Sequence, residues 1–185
     1  MKSPHFFLIE PLGEEYQNSI ELAGQKIIIN STVENHKHVN RFARVLSVPT
    51  HYDGPIKPND TIIVHHNVFR IYYDMKGRAK KSPNFFKDNI YFIDPYQFYM
   101  YHNGTQWNSV DDWCFVRPID KENPYLYEKA LEENSGELVY GNKKLDSRGV
   151  TSGSFVKFSK DSEYEFTVND EVLYRMNTKD IVALI

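Results

Sequence analysis

Apolar and polar positions alternate in short runs along most of the chain. Arg41-Phe42-Ala43-Arg44-Val45-Leu46-Ser47-Val48 has a polar start followed by an alternating stretch. Phe155-Val156-Lys157-Phe158 and Val172-Leu173-Tyr174-Arg175-Met176 carry partial period-two patterning, the signature of half-buried strands. Turn formers sit just before these runs: Pro58-Asn59-Asp60, Ser152-Gly153-Ser154, Lys87-Asp88-Asn89 and Asn169-Asp170. Short strands with turn signals between them predict an all-β sandwich or barrel. One stretch reads differently. Pro124 to Asn134 predicts a single short helix, with Ser135-Gly136 as its stop.

Four blocks recur in the same order. Phe6-Phe7-Leu8-Ile9-Glu10-Pro11-Leu12 matches Trp113-Cys114-Phe115-Val116-Arg117-Pro118-Ile119, and Arg41 to Val48 matches Ser135 to Gly141. Ile56 to Val64 matches Val150 to Phe158, and Lys87 to Tyr101 matches Val168 to Leu184. Collinearity of this kind predicts two diverged copies of one unit. The boundary falls in Gly104 to Asp112, giving domains 1–105 and 106–185.

Composition supports the β reading. The chain has 13 Tyr and 12 Phe among 185 residues, and aromatic side chains suit a pleated surface. The formal charge of −3 argues against a dedicated nucleic-acid binder. Cys114 is the only cysteine, which excludes an intrachain disulfide and a cysteine-based zinc site. The segment Met1 to Glu10 reads as neither a signal peptide nor a membrane span, so a cytoplasmic protein is expected.

Chemistry-bearing clusters are few. His36-Lys37-His38 and His65-His66 lack further ligands at metal spacing, so no metal site and no cofactor is expected. Asp111-Asp112 and Glu132-Glu133 read as solvated carboxylates, and no catalytic residue is assigned. Met75 to Lys81 is basic and has Tyr72, Tyr73, Phe85 and Phe86 nearby. Aromatic residues and cations together form the usual surface for single-stranded nucleic acid. The acidic balance instead favours a solvated hairpin tip there, with no nucleic-acid partner.

The stretch Gly149 to Phe158 resembles the "V-K-x-G-D-x-V-x-F" segment of GroES-type co-chaperonins. Asp180-Ile181-Val182-Ala183-Leu184-Ile185 resembles that family's "D-I-L-A-I" ending, and Phe7-Leu8-Ile9-Glu10-Pro11-Leu12 its "I-x-P-L" opening. Counting both halves, the resemblance covers most of the chain. It implies two tandem GroES-like, partly open β-barrels. Two-barrel members occur in chloroplasts and diverged single-barrel members in phages, so a phage-encoded protein in a bacterial host cytoplasm fits the pattern. Departures are the Lys/Arg-rich insertion Tyr72 to Asn84 and the replacement of Gly-Asp by Asn59-Asp60 and by Gly153-Ser154.

The family's mobile loop carries an aliphatic triplet that docks on a GroEL-type chaperonin. The resemblance places it at Gly24, Ile27, Ile28 and Ile29, with no counterpart in the second half. Three consecutive isoleucines also fit a buried strand. The resemblance further implies a ring homo-oligomer whose subunit interface uses Phe6, Phe7, Leu8 and Ile9 against Ile181, Val182, Ala183, Leu184 and Ile185. The expected role is a lid that helps enclose an unfolded client protein. The alternative is a structural or assembly protein, for example of a phage particle, that keeps the barrel without chaperonin binding.

Overall fold

The computed structural model describes residues 2–13, 19–22, 25–28, 39–121, 130–169 and 171–185. The fold is mostly β. The chain divides into two compact units, Met1–Gln106 and Trp107–Ile185. The first unit carries β1 (Phe7–Pro11), β2 (Ser19–Leu22), β3 (Gln25–Ile28), β4 (Phe42–Ser47) and β5 (Thr61–Val64). It continues with β6 (Tyr72–Tyr73), β7 (Ala79–Lys80), β8 (Phe85–Lys87), β9 (Ile90–Ile93) and β10 (Phe98–His102). The second unit carries β11 (Trp107–Ser109), β12 (Trp113–Lys121), β13 (Ala130–Tyr140) and the helix α1 (Lys143–Asp146). Then follow β14 (Phe155–Phe158), β15 (Tyr164–Val168), β16 (Glu171–Asn177) and β17 (Ile181–Leu184).

Within the first unit, six strands lie in the order β10-β5-β4-β1-β9-β8, and in the second in the order β17-β14-β13-β12-β16-β15. The two orders correspond strand for strand, and their pairings are antiparallel. Neither order closes on itself. The ladders β2–β3 and β6–β7 stand as separate two-stranded sheets.

The correspondence extends to single residues. A bulge between Leu8 and Ile9 in β1 has its counterpart between Phe115 and Val116 in β12. The turns before β5 and β14 use the same hydrogen bonds. Asn59 N donates to Val45 O at 2.8 Å, and Gly153 N donates to Leu138 O at 2.7 Å. Val45 N donates to Asp60 O at 2.9 Å, and Leu138 N donates to Ser154 O at 2.8 Å. Asn59 and Gly153 both take positive φ, 77° and 88°. Asparagine and glycine are the residues that tolerate this region best, which is why the turn survives the sequence change. The 3-10 turns Pro95–Gln97 and Thr178–Asp180 precede β10 and β17, each closed by a reciprocal capping box from Asp94 or Asn177.

Alternation buries the matching face in each unit. The second core contains Cys114, Val116, Leu138, Val150, Val156, Phe158 and Met176, with Leu145 of α1 packed among them. The matching residues of the first unit, Phe7, Ile9, Val45, Ile56, Ile62, Val64 and Ile93, are all buried. Phe7 stacks edge-on against Phe98 and Tyr52 at centroid distances of 5.1 and 4.8 Å. Aromatic pairs of this geometry add roughly 0.5–1.5 kcal/mol beyond the area they bury.

One expectation is overturned. Ala130 to Asn134, expected as part of a helix, belongs to β13, where Leu131 pairs with Asp120 and Ala130 with Lys121. The remainder of that stretch, 124–129, lies outside the described residues. Local helix propensity is worth a few tenths of a kcal/mol per residue and yields to a long antiparallel ladder. Gly136 is not a helix stop but a close-approach point. A Cβ there would lie 2.2 Å from Val116 Cγ1 and 2.5 Å from the Arg117 carbonyl oxygen. The short helix instead follows β13, started by Asn142, whose side chain accepts from Lys144 N and Leu145 N.

Candidate functional site

The link between β1 and β4 is one place where the two copies differ. In the first unit it contains the hairpin β2–β3, with Ile27 opposite Ile20 and Ile28 opposite Ser19. This ladder forms its own two-stranded sheet, separate in pairing from the main one. Gly24 and Ile29 lie outside the described residues. In the second unit β12 and β13 instead extend their own pairing as far as Lys121 and Ala130. An isolated two-stranded hairpin is marginally stable in water.

The residues expected at a subunit interface lie in different settings. Phe7, Leu8 and Ile9 are buried, and β1 is paired on both sides, with β4 and with β9. No backbone edge of β1 is open for strand addition. Phe6 is half-buried and packs on Phe92 at 5.2 Å between ring centroids. At the other end of the chain, β17 lies last in its sheet and pairs with β14. Ile181 is half-buried, but Val182, Leu184 and Ile185 are 68%, 53% and 59% exposed, and Phe155 beside them is 49% exposed. An apolar, exposed end strand is a template for pairing with another chain.

Ion pairs link neighbouring strands in both units. Glu10 pairs with Arg44 across β1 and β4. At the corresponding place in the second unit Arg117 pairs with Glu137 across β12 and β13, with the charges exchanged, and Arg117 also pairs with Glu171. Hydrogen bonding to Glu171, followed by its charge and by Glu137, raises the Arg117 guanidinium pKa. Arg175 lies over the ring of Trp113 at 4.4 Å and of Tyr164 at 4.9 Å, where the first unit has the Phe6–Phe92 pair. The signal for the exchanged ion pair was present in the sequence only as two opposite mismatches, Glu10 against Arg117 and Arg44 against Glu137.

Groups with chemical potential are placed as follows. Cys114 is fully buried, and burial, then the charge of Asp180, push its thiol up to about 12. His65 and His66 stack at 4.2 Å, with His65 Nδ1 accepting from Asn67 N. Asp112 pairs with Lys144 at 2.7 Å, and Asp111 takes φ 52° in the turn before β12. His36, Lys37 and His38 lie outside the described residues. Among the described residues no group of three or more His, Cys, Asp or Glu is arranged to hold a metal ion. No helix among the described residues is long and apolar enough to cross a membrane. No protein-family model matches the chain, and no curated protein sequence matches it significantly.

Proposed function

We propose that the chain is a tandem co-chaperonin-like protein, two partly open GroES-like barrels long, that caps a GroEL-type chaperonin ring. The observation that carries this reading is the repeated six-strand order with an isoleucine-bearing hairpin between the first two paired strands, which among the described residues is seen in the first copy alone. A marginal hairpin of this kind suits reversible docking. Burying an isoleucine contributes roughly 1.5–3 kcal/mol. Ordering the loop opposes that gain, so one loop binds weakly and several loops on a ring bind through avidity. The exposed apolar strand β17 supplies the edge through which copies associate. The client protein is enclosed beneath the ring and does not contact the hairpin.

The test mixes the purified protein with a bacterial chaperonin and nucleotide and follows co-migration in size-exclusion chromatography. Wild type co-migrates, and the triple variant Ile27→Asp/Ile28→Asp/Ile29→Asp does not. A wild-type protein that assembles by itself and ignores the chaperonin sinks this reading in favour of the structural or assembly role. Val182→Asp/Leu184→Asp shifts the protein towards the monomer in analytical ultracentrifugation.

A further inference from the structure

The arm between β5 and β8 has no counterpart in the second unit, where only five residues separate β14 from β15. It is a built feature. Ser82 is buried and donates its hydroxyl to Val68 O at 2.5 Å. Asn84 donates its side-chain amide to Phe92 O at 2.8 Å and to Gln97 Oε1 at 3.0 Å. The first bond ties the two ends of the arm together, and Asn84 anchors it to β9. At its tip the Asp74 carboxylate accepts from Lys76 N and Arg78 N, each at 2.9 Å. The single acidic side chain of the hairpin is thus turned into its own loop and also lies 3.8 Å from Lys80 Nζ.

What the arm presents outward is cationic and aromatic. Residues 70–88 contain Arg70, Lys76, Arg78, Lys80, Lys81 and Lys87 against Asp74 and Asp88, a net +4 in a chain of net −3. The remaining residues therefore net −7, so positive charge is concentrated on this one segment. Tyr72, Tyr73 and Phe86 are 37%, 49% and 51% exposed, and Met75 is fully exposed. Across the β6–β7 ladder Tyr72 faces Lys80, with the Arg70 guanidinium 5.3 Å from the Tyr72 ring. Tyr73 faces Ala79, a side chain too small to cover a neighbouring ring. Lys87 Nζ lies 5.8 Å from the Phe86 ring.

We infer that this arm binds single-stranded nucleic acid, with Tyr73 and Phe86 as stacking surfaces and Lys76, Arg78, Lys80 and Lys81 as phosphate contacts. Charge alone attracts any polyanion. Exposed rings interleaved with cations favour a ligand whose flat faces and phosphates alternate along one strand. Bases paired in a duplex are stacked on each other and offer no open face to such rings.

The test uses the full-length protein and fluorescein-labelled 20-nucleotide oligo(U) and oligo(dT), with a 20-base-pair duplex, phosphatidylserine vesicles and poly-glutamate as competitors. Both single strands bind and differ only in degree, the duplex binds at least about 5-fold more weakly, and the other polyanions compete poorly. Log affinity falls linearly with log salt. The variant Lys76→Ala/Arg78→Ala/Lys80→Ala/Lys81→Ala lowers that slope by up to about 0.7 per lost contact. Tyr73→Ala weakens binding by about 5-fold or more at unchanged salt slope. All five side chains are exposed, so thermal melting of the variants matches wild type. Absence of binding, equal binding of duplex, equal competition by vesicles or poly-glutamate, or indifference to both variants overturns the inference.

Discussion

Replacing Gly136 by alanine probes the spacing between β12 and β13. Gly136 and Ala43 occupy the same place in their sheets. Ala43 lies between Pro11 and Ile62, and Gly136 lies between Pro118 and Val156. The first unit accommodates a methyl group there, but the second does not. A Cβ at Gly136 would meet Val116 Cγ1 at 2.2 Å and the Arg117 carbonyl oxygen at 2.5 Å. Val116 is fully buried and has nowhere to turn, and the carbonyl is fixed in the backbone of β12. Overpacking of this sort costs about 1–3 kcal/mol. The reduced freedom of the unfolded chain offsets about 0.4–1 kcal/mol of that. Contacts this short, one of them to backbone, fall in the upper part of that range, so a net loss of about 1–2.6 kcal/mol remains, which lowers the Tm of a unit this size by about 4–8 °C per kcal/mol. Cys114 lies in the same core and reports on it, because iodoacetamide reaches the thiol only when the second unit opens. Gly136→Ala therefore lowers the urea concentration at which Cys114 becomes reactive. Ala43→Gly, the reciprocal change in the first unit, leaves the intrinsic opening of the second unit unchanged. Wild-type Tm and wild-type thiol protection in Gly136→Ala would refute the strand spacing on which this reasoning stands.

Two further outcomes follow from the second unit. The folded Cys114 thiol titrates at about 12, above its ordinary value of 9.0, so ionisation favours the unfolded chain. The contribution of this group is complete below pH 9 and is lost as pH rises from there, at about 1.4 kcal/mol per pH unit. Urea melts at pH 8 and pH 10 check it, since Cys114→Ala removes this part of the pH dependence. Arg117→Ala removes the cation that Glu137 and Glu171 share, but the arginine side chain is 42% exposed and its pairs are screened. The expected loss is under about 1 kcal/mol and shrinks in 1 M salt, as read from urea midpoints at low and high ionic strength.

The parts of the fold that could be read from the chain are those set by local rules. Pro58-Asn59-Asp60 and Ser152-Gly153-Ser154 share no residue type, yet both place a φ-tolerant residue one position before the last turn residue. Both turns close with the same hydrogen bonds. The matched blocks fall on β1 and β12, β4 and β13, β5 and β14, and the pairs β9–β10 and β16–β17. What could not be read depends on distant partners. Ala130 to Asn134 looks helical until β12 is placed beside it, and Gly136 looks like a stop until Val116 is seen against it. The helix α1 is too short, at four residues, to show a period, although Asn142 marks its start. Of the candidate hairpin, pairing of Ile27 and Ile28 is described, and Gly24 and Ile29 lie outside the described residues.

The exchanged ion pair has a bearing on how the protein reaches its native form. A polypeptide that carries the same ladder twice risks trading strands between its halves while it folds. If β1 took β13 in place of β4, Glu10 would lie opposite Glu137, and if β12 took β4, Arg117 would lie opposite Arg44. Like charges set directly across a ladder repel. Each half thus holds a lock whose key has the wrong sign for the other, and the mismatched hybrids carry a penalty that the matching apolar alternation of the two halves would not by itself impose.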